Sequence, residues 1–139
     1  MCLCAYIGTH QKLEIGKFVQ DKTLLYLEEP SEDELKGLRN KFTKKNIYYV
    51  GSETGCSCGF MYEKDEDLED EDYSVESPKE LIKFLKKISE HENIEFYSCW
   101  ESEWDLPIKS NIELNLNNLT LENYFGPNQL EFITFKNEK

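Results

Sequence analysis

The stretch Ile47–Glu63, which reads IYYVGSETGCSCGFMYE, lies near the middle of the chain and is the most specific feature of the sequence. It contains two apolar runs, and between them a turn with glycines and two cysteines, Cys56 and Cys58. Apolar runs on either side of a glycine-containing turn are typical of a β-hairpin. The stretch therefore predicts a hairpin that carries two thiols near its bend.

Outside this hairpin, helix signals occur at two places. Ser31 followed by Glu34 forms a capping box and predicts a helix over about 32–42. Ser77 followed by Glu80 forms a second capping box, with Pro78 at the first helical position, and predicts a helix that ends near residue 91. Apolar or alternating runs predict strands at 2–7, 23–27, 94–100, 111–117 and 130–135.

These elements give the order β-β-α-β-β-α-β-β-β. Because short links join most neighbouring strands, the order favours an α+β fold over an α/β, doubly wound one. We expect a mainly antiparallel sheet of about six to seven strands, with the two helices packed on one face. The 139 residues fit one domain.

The charge is concentrated in one segment. The chain has a net charge of −12, and residues 63–76 hold nine acids and one lysine, a net of −8. This segment has no apolar periodicity and predicts an acidic, mobile loop. Nucleic acid is disfavoured as a partner because its binding depends on clustered Lys and Arg. A basic protein is the partner that this charge favours.

Membrane and secretion signals are absent from the sequence. No apolar run approaches the roughly 20 residues of a membrane span, and the first residues lack a basic segment and a long apolar run. We therefore expect a cytoplasmic protein. In a reducing compartment, five cysteines are expected to be free, metal-ligating or redox-active rather than paired as disulfides.

The cysteines form two Cys-x-Cys pairs, Cys2 with Cys4 and Cys56 with Cys58, while Cys99 is alone. On a strand, residues two apart point to the same side, so four sulfurs could converge if the first strand lies beside the hairpin. Four thiolates suit Zn²⁺, and soft thiolates also suit Cu⁺. The alternatives are that these cysteines are small buried hydrophobic residues, or that Cys56 and Cys58 form a redox pair. No other cofactor is predicted.

No catalytic motif is found, which does not favour an enzyme. A nucleophilic Cys56 would need a base, and His10 is the candidate for it. Two tryptophans flank acids in the segment WESEW, and Trp is frequent at binding hot spots.

Two functions remain open. The first is a non-enzymatic interaction module, of immunity or regulatory type, that binds a basic partner through its acidic and Trp-containing loops. The second is a thiol-based metal-binding or redox protein that uses Cys56 and Cys58, with Cys2 and Cys4. The partner-binding residues expected for the first are Trp100, Glu101, Glu103, Trp104, Asp65, Asp67, Asp70 and Asp72.

Overall fold

A computed structural model describes residues 2–61 and 75–137 of the protein. The strands are β1 (Leu3–Thr9), β2 (Leu25–Glu28), β3 (Asn46–Ser52), β4 (Ile94–Trp100), β5 (Ser110–Asn115) and β6 (Glu131–Lys136). The helices are α1 (Glu32–Leu38) and α2 (Glu76–Ile88), with short 3₁₀ turns at Ser57–Phe60 and Leu116–Asn118. Neither described helix has the length and the apolar character that a membrane-spanning segment needs.

The six strands form one sheet in the order β2-β3-β1-β4-β6-β5. All neighbours are antiparallel except β5 and β6, which are parallel. Every residue of the central strand β1 is buried, as its two apolar faces predict. The α+β class and the mainly antiparallel sheet with two helices are therefore confirmed.

The two faces of the sheet carry separate apolar clusters. Alternate residues of β1 divide between them, with Ala5 and Ile7 on one face and Cys4 and Tyr6 on the other. Helix α2 packs on the first face through its buried residues Leu81, Ile82, Leu85 and Ile88. Helix α1 packs on the second face through Leu35 and Leu38. The expectation that both helices lie on one face is therefore wrong, because the apolar surface of β1 on each face requires its own cover.

The first predicted helix begins as expected. Ser31 accepts a hydrogen bond from the Glu34 backbone N–H at 3.3 Å, and the Glu34 carboxylate accepts one from the Ser31 N–H at 3.1 Å. The helix ends at Leu38, four residues earlier than expected. Next to its end, Gly37 lies against the backbone of Trp104, and a Cβ at this position would come within 2.5 Å of it.

The second predicted capping box does not form. Helix α2 has Val75 as its N-cap, so Ser77 and Pro78 already lie inside the first turn. The Ser77 hydroxyl instead accepts a hydrogen bond from the Glu53 N–H at 3.1 Å and donates one to the Leu24 carbonyl at 2.8 Å. The Ser77 hydroxyl therefore forms hydrogen bonds to distant parts of the chain instead of capping the helix.

The predicted hairpin at the middle of the chain is also wrong in its second arm. Its first arm is β3, but residues Ser57–Phe60 form a 3₁₀ turn and Met61 is not in a strand. Among residues 2–61 and 75–137 the sheet has six strands, within the expected six to seven, and residues 62 and 63 of the predicted arm lie outside the described residues. Phe60 is fully buried in the first cluster, which explains its apolar character without a second strand.

At the Thr9 end of β1, two carboxylates accept hydrogen bonds from the backbone of the neighbouring loops. Glu95, on β4, is buried and accepts hydrogen bonds from the backbone N–H groups of Thr43 and Lys44. Glu92 accepts hydrogen bonds from Thr9 Oγ1 and the His10 N–H. Glu95 is buried and Glu92 is half-buried, and their hydrogen bonds hold the irregular backbone of these loops in place.

Candidate metal centre

The chain turns sharply where β3 ends. The Ser52 N–H donates to the Cys56 carbonyl at 2.8 Å, and the Ser52 hydroxyl donates to the same oxygen at 2.6 Å. Gly55 has a φ of 85°, a conformation that glycine adopts without strain. A Cβ at Gly59 would lie 2.2 Å from the Ser52 hydroxyl oxygen, so only glycine fits there. The two glycines thus allow the chain to fold back immediately after Cys56.

The 3₁₀ turn that follows docks on the edge of β1, where β3 no longer pairs with it. The Ser57 hydroxyl is buried between the two strands, where it accepts from the Ala5 N–H at 2.9 Å and donates to the Val50 carbonyl at 2.6 Å. Two residues before Ala5 in β1, the Leu3 N–H donates a hydrogen bond to Cys58 Sγ at 3.3 Å. These contacts fix the Cys-x-Cys segment beside the first residues of β1.

As a result, three cysteines from two distant segments meet. The sulfur atoms of Cys2, Cys56 and Cys58 all lie within 4.8 Å of one another. Cys2 is exposed, whereas Cys56 and Cys58 are half-buried, and none of the three forms a disulfide. Of the four predicted ligands, the structure brings these three together.

The hydrogen bonds within the cluster favour a thiolate at Cys56. Burial raises the pKa of this thiol, but hydrogen bonds from the Thr54 hydroxyl, the Cys58 N–H and the thiols of Cys58 and Cys2 lower it further than burial raises it. Thr54 Oγ1 lies 3.4 Å from Cys56 Sγ. The cluster can therefore hold one thiolate, at Cys56, that accepts hydrogen bonds from the thiols of Cys58 and Cys2.

The other two thiols hold their protons more tightly. Burial, followed by the hydrogen bond and the charge of Cys56, raises the pKa of Cys58 to about 11. The charge of Cys56 is the largest cause that raises the pKa of Cys2, and the carboxylate of Glu101 adds to it. A cation bound between the sulfurs would reverse this balance, because it favours every thiolate that it touches.

The fourth predicted ligand, Cys4, lies outside this group. It is buried in the second cluster and directly faces Cys99 across β1 and β4. Burial raises the pKa of Cys4 to about 11 and that of Cys99 to about 12. Both behave as small apolar core residues, which the sequence also allowed.

The predicted Trp-acid segment follows β4. Trp100 is the last residue of that strand and is half-buried, and Glu101 is exposed. The ring of Trp104 packs against the second cluster, and its carbonyl accepts a hydrogen bond from Lys41 Nζ at 2.8 Å. Glu103 accepts one from Gln129 at 2.7 Å. In the structure Trp104 has a packing role, and Glu101 is the most accessible of the four.

The acidic residues Asp65, Asp67, Asp70 and Asp72 lie outside the described residues. Binding of a basic partner through them stays a prediction. His10 lies beyond the opposite end of β1, roughly 25 Å from Cys2 at the usual rise per residue of a strand. It pairs with the Lys45 N–H rather than with a thiol, so the considered Cys56–His10 pair does not form.

The sequence did not identify the residues that position the three cysteines. Thr54, Ser57 and the Leu3 N–H hold them in place. The only sequence signal is proximity, since Ser57 and Leu3 each lie inside a Cys-x-Cys pair and Thr54 lies two residues before Cys56. Comparison of the chain with family models, curated proteins and solved structures gives no significant match. The geometry of the site must therefore carry the functional argument.

Proposed function

We propose that this chain is a thiol-based metal-binding protein that holds a soft ion, Zn²⁺ or Cu⁺, between Cys2, Cys56 and Cys58. The observation that carries the proposal is the convergence of the three sulfurs within 4.8 Å. Thiolates are the ligands that these two ions prefer.

The exposure of the three cysteines supports a binding role over a packing role. A free cysteine that serves packing is typically buried, as Cys4 and Cys99 are. Cys2 is exposed, and Cys56 and Cys58 are only half-buried. The cluster is therefore accessible to an ion from solvent, and packing alone gives no reason for three thiols there.

The spacing of the sulfurs suits a metal centre after a small contraction. With zinc–sulfur bonds of about 2.3 Å, two sulfurs of a tetrahedral site lie about 3.8 Å apart. A separation of at most 4.8 Å thus has to shorten by about 1 Å or less. The hydrogen bonds of Ser57 and Cys58 to β1 hold two of the three residues near this arrangement before an ion binds.

Metal binding and proton release are linked at this site. The raised pKa values of Cys2 and Cys58 mean that both thiols must lose a proton when the ion enters. We expect the affinity to fall as the pH is lowered.

Elemental analysis and competition with a chromophoric chelator test the proposal. The reduced protein should bind about one equivalent of Zn²⁺ or Cu⁺, and Ser substitutions at Cys2, Cys56 and Cys58 should each weaken binding. Cys4→Ala is the matched control, because this cysteine is two residues from Cys2 in the chain but lies outside the cluster. A wild-type protein that binds neither ion, or a control as weak as the cluster variants, would contradict the proposal.

Binding of a basic protein remains a second proposal, supported by the net charge of −8 in residues 63–76. Its test compares the wild type with a variant in which Asp65, Asp67, Asp70 and Asp72 are Asn. Electrostatic capture of a partner should weaken with added salt and in the variant. Capture that is indifferent to both would count against it.

A further inference from the structure

The environment of the three-thiol cluster contains one carboxylate that the metal proposal has not used. Glu101 follows β4 immediately, and Cys2 precedes β1 immediately. The Glu101 N–H donates a hydrogen bond to the Cys2 carbonyl at 3.0 Å. This bond extends the antiparallel register, in which Leu3 faces Trp100, by one further pair.

Directly opposed residues of an antiparallel pair project their side chains from the same face, with Cβ atoms about 4.5–5.5 Å apart. Glu101 and Cys2 stand in this relation. An ion bound to Cys2 Sγ would therefore lie within reach of the flexible Glu101 side chain.

The Glu101 carboxylate is also available. The residue is exposed, and among residues 2–61 and 75–137 no hydrogen bond or ion pair holds its carboxylate. Its neighbour Glu103 differs, because the carboxylate of Glu103 already accepts a hydrogen bond from Gln129. In the structure only the three sulfurs lie within 4.8 Å of one another, so the Glu101 side chain has to rotate toward Cys2 to place an oxygen at the cluster.

The coordination number of zinc assigns a role to the Glu101 carboxylate. Three thiolates leave one position of a tetrahedral Zn²⁺ unfilled, and Glu oxygens bind Zn²⁺ at about 2.0–2.2 Å. Cu⁺ is softer and is bound by sulfur ligands rather than by carboxylates. A carboxylate in the fourth position would therefore favour zinc over copper.

We infer that Glu101 is the fourth ligand of a Cys₃Glu site, composed of Cys2, Cys56, Cys58 and Glu101, that binds Zn²⁺. The inference rests on the proposed metal-binding function, and it adds the ligand set and the identity of the ion.

The test measures Zn²⁺ and Cu⁺ affinities of the full chain by chelator competition, with Co²⁺ as a spectroscopic substitute for zinc. Glu101→Gln should lower the Zn²⁺ affinity at least about tenfold, the smaller loss seen when only an outer partner of a ligand is removed. Its Cu⁺ affinity should not change. The Co²⁺ spectrum should lose its tetrahedral d–d bands or shift them.

Two variants sharpen the result. Glu103→Gln is the matched control and should bind Zn²⁺ as the wild type does. Glu101→Cys supplies a thiolate at the same position and should restore the Zn²⁺ affinity.

The outcomes separate this inference from the function on which it rests. If Glu101→Gln binds Zn²⁺ like the wild type while the Ser variants of the three cysteines do not, metal binding stands and the role of Glu101 is refuted. Equal losses of Zn²⁺ and Cu⁺ affinity in Glu101→Gln would also refute it, because a selective ligand cannot produce them. A wild-type chain that binds neither ion overturns both.

Discussion

The hydroxyl of Ser57 is the contact that joins the cysteine turn to the sheet, and its removal gives a quantitative prediction. It accepts from the Ala5 N–H and donates to the Val50 carbonyl, and the residue is 0% exposed. Ser57→Ala removes the hydroxyl partner of both buried backbone groups. Each such group costs about 1–3 kcal/mol, so we expect the two to lower the free energy of unfolding by about 2–6 kcal/mol.

Urea denaturation of the metal-free protein measures this loss. With an m-value of about 2 kcal/mol/M, a loss of about 3 kcal/mol lowers the midpoint by about 1.5 M. Because the same turn positions Cys56 and Cys58, the Zn²⁺ affinity of the variant should fall as well.

Ser98→Ala is the matched control for this prediction. Ser98 is on the central part of the sheet and is 1% exposed, but its hydroxyl has no hydrogen-bond partner among the described residues. Its removal orphans no group, so the unfolding free energy should change by less than about 0.5 kcal/mol or increase slightly. Equal losses in the two variants would refute the bridging role of the Ser57 hydroxyl.

Three further predictions concern other parts of the molecule. Burial raises the pKa of Glu92, but hydrogen bonds and the nearby Lys44 lower this pKa further, to about 2. The ionised Glu92 carboxylate therefore stabilises the fold above the usual pKa of about 4.3, and this stabilisation is lost as the pH falls toward 2. Denaturation at several pH values should thus show the difference between wild type and Glu92→Gln shrink between about pH 5 and pH 2. Gly37→Ala should destabilise the protein by about 1–3 kcal/mol through overpacking, whereas Gly16→Ala, which meets nothing within 4 Å, should be neutral in the same assay. Alkylation near pH 7 followed by mass mapping should label Cys56 before the more exposed Cys2, because the pKa of Cys56 is lowered and that of Cys2 is raised. Labelling of both cysteines at the same rate would argue against a thiolate at Cys56.

Local patterns in the sequence were sufficient for most of the sheet. The strand at Ile94–Trp100 has the predicted bounds, and its alternate residues pack on opposite faces of the sheet, as the geometry of a strand requires. The Ser31 capping box also forms as predicted, because the helix start depends only on residues three positions apart.

The failures occur where tertiary contacts compete with local preference. The Ser77 hydroxyl has the spacing of a cap, but Glu53 and Leu24 offer it partners from outside the helix. The apolar run after Cys58 resembles a strand, but Phe60 anchors a turn in the core instead. Neither outcome can be read from neighbours in the sequence, since the competing partners lie at distant positions.

The sequence likewise predicts only part of the candidate site. Spacing identifies the two Cys-x-Cys pairs, yet the same spacing predicts that Cys4 lies with Cys2 in one site. The structure separates them, because Cys4 faces Cys99 inside the sheet while Cys2 stands before the strand begins. The proximity of Glu101 to Cys2 follows from the register of β1 with β4, which only the strand order reveals.

The central position of β1 has a consequence for how the protein is made. Its two neighbours, β3 and β4, follow it in the chain by roughly 40 and 90 residues, so a ribosome must synthesise Trp100 before both edges of β1 can be satisfied. Until then, β1 has no partner on at least one edge, and an unpaired strand with two apolar faces is prone to aggregation. Such long-range pairing also folds slowly. The ligands of the proposed zinc site, from Cys2 to Glu101, span the same part of the chain, so the proposal places ion binding after β1 has paired on both edges.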